Sequence, residues 1–197
     1  MPRLPRPLVD GGCYHLIARG NNRQAVFAPE GGHAHFLALV ARAKQTYPAR
    51  LYHYCLMSNH FHLLLQVDCG ADLPRFMQAL LQGYGRWYQA QIRYVGHVWQ
   101  GRYKSPLVAK ESYFLEAGRY IEQNPVRARM VPEAGASPWS SYRVYAWGEV
   151  NPLVDEDPYY PRLGATPAAR QAAYRAFTQL TSPYDGLVDR QLLEVAF

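Results

Sequence analysis

Acidic residues are scarce in the first half of this chain. Of fifteen Asp and Glu in 197 residues, four precede residue 111, and residues 73–110 contain none. Cysteine is also sparse: Cys13, Cys55 and Cys69 are odd in number and follow no ligand spacing. That excludes a disulfide framework and a cysteine zinc cluster, and it leads us to expect a reducing, cytoplasmic setting. No run of about eighteen apolar residues occurs, so no membrane span is expected. The segment Met1-Pro-Arg-Leu-Pro-Arg-Pro lacks the apolar stretch of a signal peptide, and none is expected. Repeats and low-complexity tracts are absent as well.

Base, aromatic ring and apolar surface are plentiful. Half the chain is apolar (49%), enough for one compact domain with additions. Residues 1–110 carry thirteen Lys or Arg, a net +9, whereas residues 111–197 carry eight against eleven acids, a net −3. A basic front half points to a polyanion, most simply nucleic acid. Eighteen of the twenty-one cations are Arg, which suits bidentate phosphate and base contacts. A GC-rich genome, which favours Arg codons, explains the Arg excess equally well but not the acid-free stretch.

The order of elements is read from periodicity and turn residues. Residues 13–18 form a strand and 19–23 a Gly/Asn loop. Helical spacing of Phe36, Leu37, Val40 and Ala41 gives a helix over 33–46, ended by Pro48. Strands follow at 51–57 and 60–67, with Ser58-Asn59 at the turn. A long helix spans 73–92, with Asp72 as its N-cap. A short strand covers 107–109, and a helix over 112–124 is stopped by Pro125. This is the split βαβ order of an α+β, ferredoxin-like fold with an antiparallel sheet. We divide the chain into a domain of residues 1–132 and an irregular, partly helical extension, 133–197, that packs on the core. The last clear helix starts at Thr166-Pro167.

The chemistry centres on His60-Phe61-His62. Residues i and i+2 of a strand share a face, so two imidazoles converge and can hold a metal ion. Alone, His-x-His on an apolar strand reads equally as two structural histidines. Tyr120 and Asn124, spaced i, i+4, share a helix face. Asn124 lies near a helix C-terminus, where the dipole favours a cation, and its amide oxygen suits Mg²⁺ or Mn²⁺. Asn124 could instead merely terminate the helix, with Gln123 as the substitute ligand. His15, on the first strand, could face the metal but is read first as a packed or DNA-facing residue, and His97 is similarly ambiguous. Between Tyr84 and Lys104 aromatics alternate with cations, a mix that can stack bases and bind phosphates. Trp87 and Tyr88 are assigned to the core, and the basic segment 96–105 to DNA.

His-Phe-His followed by Tyr120-Ile-Glu-Gln-Asn-Pro-Val-Arg127 resembles the HUH single-stranded DNA nucleases, and within them the IS200/IS605-like single-tyrosine transposases. The REP-associated tyrosine transposases are the most similar subfamily. Supporting blocks are residues 14–23, 56–65, 96–105, 120–127 and 139–142, so the resemblance covers roughly residues 12–145. One departure is at the end, where further sequence is expected after Gly186-Leu-Val, so a tail contact to DNA is expected to be absent. The resemblance implies cleavage and rejoining of single-stranded DNA, probed as a hairpin of REP type in a bacterial nucleoid, through a 5′-phosphotyrosine. It implies Tyr120 as nucleophile and His60, His62 and Asn124 as ligands to Mg²⁺ or Mn²⁺. Arg19, Arg23, Trp99, Arg102, Lys104 and Arg127 are our DNA-contact candidates. Two rivals remain: a metal hydrolase that activates water, and a catalytically inactive ferredoxin-like single-stranded nucleic-acid-binding protein. Both monomer and homodimer fit, and a dimer could place the tyrosine helix at the partner's histidines.

Overall fold

The structure, a computed structural model, describes residues 7–108, 113–182, 185, 186 and 188. Three strands, β1 (Cys13–Arg19), β2 (Ala49–Leu56) and β3 (His60–Val67), form an antiparallel sheet in the order β1-β3-β2. The expected fourth strand is reduced to isolated bridges along the free edge of β1, at Trp99, Lys104 and Leu107. Its residue 109 lies outside the described residues. The edge segment still bonds tightly: Lys104 and Ile17 exchange N–H···O bonds of 2.8 and 3.1 Å, and Val108 donates to Cys13 at 2.8 Å. Placed beside β1, it completes the strand order of a ferredoxin-like fold.

Strict alternation splits β3 between two cores. Phe61, Leu63, Leu65 and Val67 face helices α1 (Gly32–Thr46) and α2 (Asp72–Ile92). The opposite face receives His60, His62 and Leu64, as period two demands. There it meets α3 (Phe114–Arg127), whose Phe114, Ala117, Tyr120 and Ile121 join the second core. The sheet is therefore buried on both sides. In α2, Leu73, Phe76, Met77, Leu80, Tyr84 and Tyr88 repeat at helical spacing and are all buried. Asp72 is the first residue of this helix, not its cap: it makes no capping bond and pairs with Arg75 one turn on.

A bulge in β2 departs from alternation. The register moves from Leu51↔Leu65 to His53↔Leu64, so Tyr52 is the extra residue. Two residues then oppose one, which turns both Tyr52 and His53 to the α3 face. A third core, built from Ala134, Tyr142, Tyr145, Ala146, Tyr160 and Tyr174, lies under α4 (Tyr142–Trp147) and α5 (Pro167–Thr178).

Pro125 does not end α3, contrary to the expectation, and the helix runs on to Arg127. Proline removes the N–H that would bond the Ile121 carbonyl. The Asn124 side chain compensates by donating from Nδ2 to the Tyr120 carbonyl at 2.8 Å and to that of Ile121 at 3.4 Å.

Candidate active site

The α3 face of the sheet brings the sequence-predicted residues together within one chain. The rings of His60 and His62 have centroids 5.0 Å apart at 74°. Tyr120 reaches them from α3, with its ring edge-on to His62 at 6.0 Å and to His15 at 5.7 Å. The Arg127 guanidinium lies 4.7 Å over the Tyr120 ring. Asn124 is one turn beyond the tyrosine on the same helix. Tyr120 is 2% exposed, so the nucleophile candidate lies inside the second core.

Each histidine is held neutral. Burial lowers the His15 pKa to about 3. Burial, then the Arg19 charge, lowers His60 to about 4. His62 lies well below the ordinary imidazole range because of burial first, then His60, His15, Arg127 and Arg19. A neutral imidazole keeps the lone pair that a metal needs. Nε2 of His62 is buried and has no hydrogen-bond partner among the described residues, the arrangement expected of a ligand atom. His60 Nδ1 bonds Asn59 Oδ1 at 2.7 Å, leaving Nε2 as the remaining ring nitrogen. These donors fit a divalent ion. Among the described residues no three His, Cys, Asp or Glu side chains group to hold a metal, so any third protein ligand beside the pair would have to be of another residue type, such as an amide.

The basic candidates fall unevenly. Arg19 closes β1 opposite His60, and its charge acts on both histidines. Arg23 is exposed, in a left-handed backbone (φ 57) beside Asn22 (φ 50), and its carbonyl accepts from Asn59 Nδ2 at 3.3 Å. Gly20 makes that tight turn possible, because a Cβ there would lie 2.5 Å from the Gln24 carbonyl oxygen. Arg102 is exposed beside Gly101 (φ 65), and Lys104 sits on the β1 edge. Segment 96–105 is thus partly a sheet edge rather than a free loop. Trp99 is spent on the core: it packs on Phe27, Phe61 and Tyr84 and donates from Nε1 to the Leu81 carbonyl.

Sequence reasoning missed the support behind α3. His53 donates from Nδ1 to Glu122 Oε1 at 2.9 Å and from Nε2 to Asp157 Oδ2 at 3.0 Å, with all three side chains fully buried. Burial opposes the imidazolium, but Glu122 and Asp157 outweigh it and raise the His53 pKa to about 9. Glu122 also accepts from Ser141 Oγ at 2.6 Å and from Tyr174 OH at 2.7 Å. Strand β2, α3, α4, α5 and the loop at Asp157 therefore meet at a carboxylate two residues from Tyr120. Gly118 leaves room for the His53 ring, since a Cβ there would lie 2.6 Å from it. The one sequence signal was an acid, Glu122, inside an otherwise apolar helix face.

Residues 9–124 match the family model described as "Transposase IS200 like". No curated protein matches the chain. Among solved structures, a REP-associated tyrosine transposase bound to a REP hairpin superposes with a TM-score of 0.62 at 17% identity, over 80% of this chain and 93% of that one. A putative transposase from Deinococcus radiodurans R1 aligns with a TM-score of 0.43 at 20% identity, over 66% of this chain and 92% of that one.

Proposed function

We propose that this chain, which belongs to the IS200-like transposase family, nicks and rejoins single-stranded DNA through a 5′-phosphotyrosine on Tyr120. The observation that carries this reading is the edge-on approach of Tyr120 to His62 at 6.0 Å within one chain, with an unpartnered His62 Nε2 beside it.

His60, His62 and Asn124 would hold Mg²⁺ or Mn²⁺, which supplies Lewis-acid polarisation of the scissile phosphate and stabilises the leaving 3′-oxygen. The remaining work belongs to the chain. A phenol of pKa about 10 is a weak nucleophile at neutral pH, so position must supply much of the rate. Helix α3 holds Tyr120 for in-line attack, and the buried Glu122–His53 pair fixes that helix to the sheet. The phenol oxygen bonds to phosphorus as the P–O3′ bond breaks. The phenol loses its proton and the 3′-oxygen gains one. Arg127, over the ring, carries positive charge toward the incoming phosphate. A 3′-hydroxyl attacking the phosphotyrosine reverses these steps and joins strands without ATP.

Arg19, Arg23, Arg102, Lys104 and Arg127 supply the phosphate contacts, whereas the core packing of Trp99 withdraws it from that set. A hairpin of REP type is the proposed substrate, in keeping with the hairpin bound by the relative that shares the fold. Histidines and tyrosine drawn from one chain favour a monomer acting in cis.

The test is incubation with labelled single-stranded hairpin DNA and Mn²⁺ or Mg²⁺. We expect a protein–DNA adduct that survives denaturant and is lost in Tyr120→Phe. Cleavage with no adduct overturns the covalent mechanism.

A further inference from the structure

The metal-facing nitrogens of His60 and His62 are not selected in the same way. For His60 the protein decides alone. Asn59 Nδ2 donates to the Arg23 carbonyl at 3.3 Å, which fixes the amide and makes Oδ1 the acceptor. His60 Nδ1, 2.7 Å from that oxygen, must carry the proton, so Nε2 keeps its lone pair.

For His62 the partner is a second imidazole. His62 Nδ1 and His15 Nε2 are 2.9 Å apart in a fully buried contact. Two neutral rings carry two protons, and one lies between them. The other resides on His62 Nε2 or on His15 Nδ1, the remaining nitrogens of the two rings, both buried and without a partner among the described residues. If it resides on His62 Nε2, that atom cannot ligate. If His62 donates from Nδ1, then His15 accepts at Nε2, its own proton moves to Nδ1, and His62 Nε2 is open.

We propose that His15 is a positioning residue of the metal site, accepting from His62 Nδ1 so that His62 presents an unprotonated Nε2 to the ion. The sequence reading placed His15 as a packed or DNA-facing residue. Its location on β1, one sheet neighbour from His62 and edge-on to Tyr120, gives it both the reach and the burial for this role. A ring nitrogen held in this manner orients the ligand and raises its basicity. The inference rests on the proposed metal-dependent function and extends it to a residue that would not touch the ion.

The experiment is calorimetric titration of the full chain with Mn²⁺ alone, in wild type, His15→Leu and His15→Gln, with thermal melts alongside. Leucine fills the space without an acceptor, whereas glutamine can place an oxygen near the position of Nε2. We expect His15→Leu to weaken Mn²⁺ binding about 10–100-fold and His15→Gln to recover most of it. Equal affinity in wild type and His15→Leu overturns the role of His15 while leaving the metal site standing. Absence of Mn²⁺ binding in wild type overturns the metal-dependent reading and this inference with it. Should His15→Leu not fold, nitrogen-15 NMR of metal-free wild type decides the matter. A proton on His62 Nδ1 supports the role, and a proton on His62 Nε2 overturns it.

Discussion

Between about pH 7 and pH 8 the buried His53 ion pairs should make stability fall. His53 has a folded-state pKa of about 9, raised from an ordinary 6.5. A raised folded pKa means that the native state holds the proton more tightly than the unfolded chain. The stabilisation is therefore fully present below the unfolded value and is lost as pH climbs through the folded one. A shift of this size corresponds to about 3 kcal/mol in full, and linkage places about 1 kcal/mol of the loss between pH 7 and pH 8. His53 is fully buried, so solvent screening does not reduce the effect. Other histidines oppose this fall only weakly: burial lowers His15, His60, His62, His33 and His35, and since unfolded imidazoles are already mostly neutral above pH 7 each adds back on the order of a tenth of a kcal/mol. Burial raises the Cys13 and Cys55 thiols, and these begin to matter only as unfolded thiols ionise near pH 8.5. The assay is urea unfolding at the two pH values, for wild type and for Glu122→Gln/Asp157→Asn. With both carboxylates gone, burial alone sets the imidazole, and the fall should disappear. Wild-type stability that is flat or rising over this range, or a double variant with the same slope, refutes the reasoning.

Three further outcomes follow from packing around the tyrosine. Gly118→Ala forces a methyl to within 2.6 Å of the His53 ring, and we expect a loss of about 1–3 kcal/mol by urea unfolding, despite the better helix propensity of alanine. Asn124→Ala removes both the proposed ligand oxygen and the side-chain donor to the Tyr120 and Ile121 carbonyls, the latter freed by Pro125, so Mn²⁺ affinity by calorimetry and helix stability should fall together. Asn124→Asp keeps a ligand oxygen and should retain Mn²⁺ binding. Arg127→Met keeps the bulk over Tyr120 but loses the charge, so the salt dependence of hairpin binding should flatten by about one charge-equivalent in a fluorescence titration.

The legible parts of this molecule were those governed by short-range periodicity. His60–Val67 could be read to the residue, because alternation within eight positions fixes which side chains share a face. The i, i+4 relation of Tyr120 and Asn124 was visible for the same reason. Errors arose where a side chain changed a local rule. Pro125 should have stopped α3, but the Asn124 amide stands in for the lost donor. Trp99 reads as a DNA contact from its basic neighbours, and its partial burial against the core was not legible. Its actual partners, Phe27, Phe61 and Tyr84, come from distant positions that no local pattern connects. His15 is packed, as its strand position implies, but its bond to His62 could not be read because it depends on strand pairing across 47 positions.

The support behind the tyrosine helix has a consequence for where the working unit ends. The family match stops at residue 124, and the catalytic candidates all lie within it. Yet three groups that hold Glu122, namely Ser141, Tyr174 and, through His53, Asp157, lie beyond that limit. A buried carboxylate left without such partners is costly, on the order of 3–5 kcal/mol for a broken buried pair. Together with His53, the groups of residues 141–174 bond Glu122 fully in the orientation that faces Tyr120 to the histidines, so they hold α3 in that orientation.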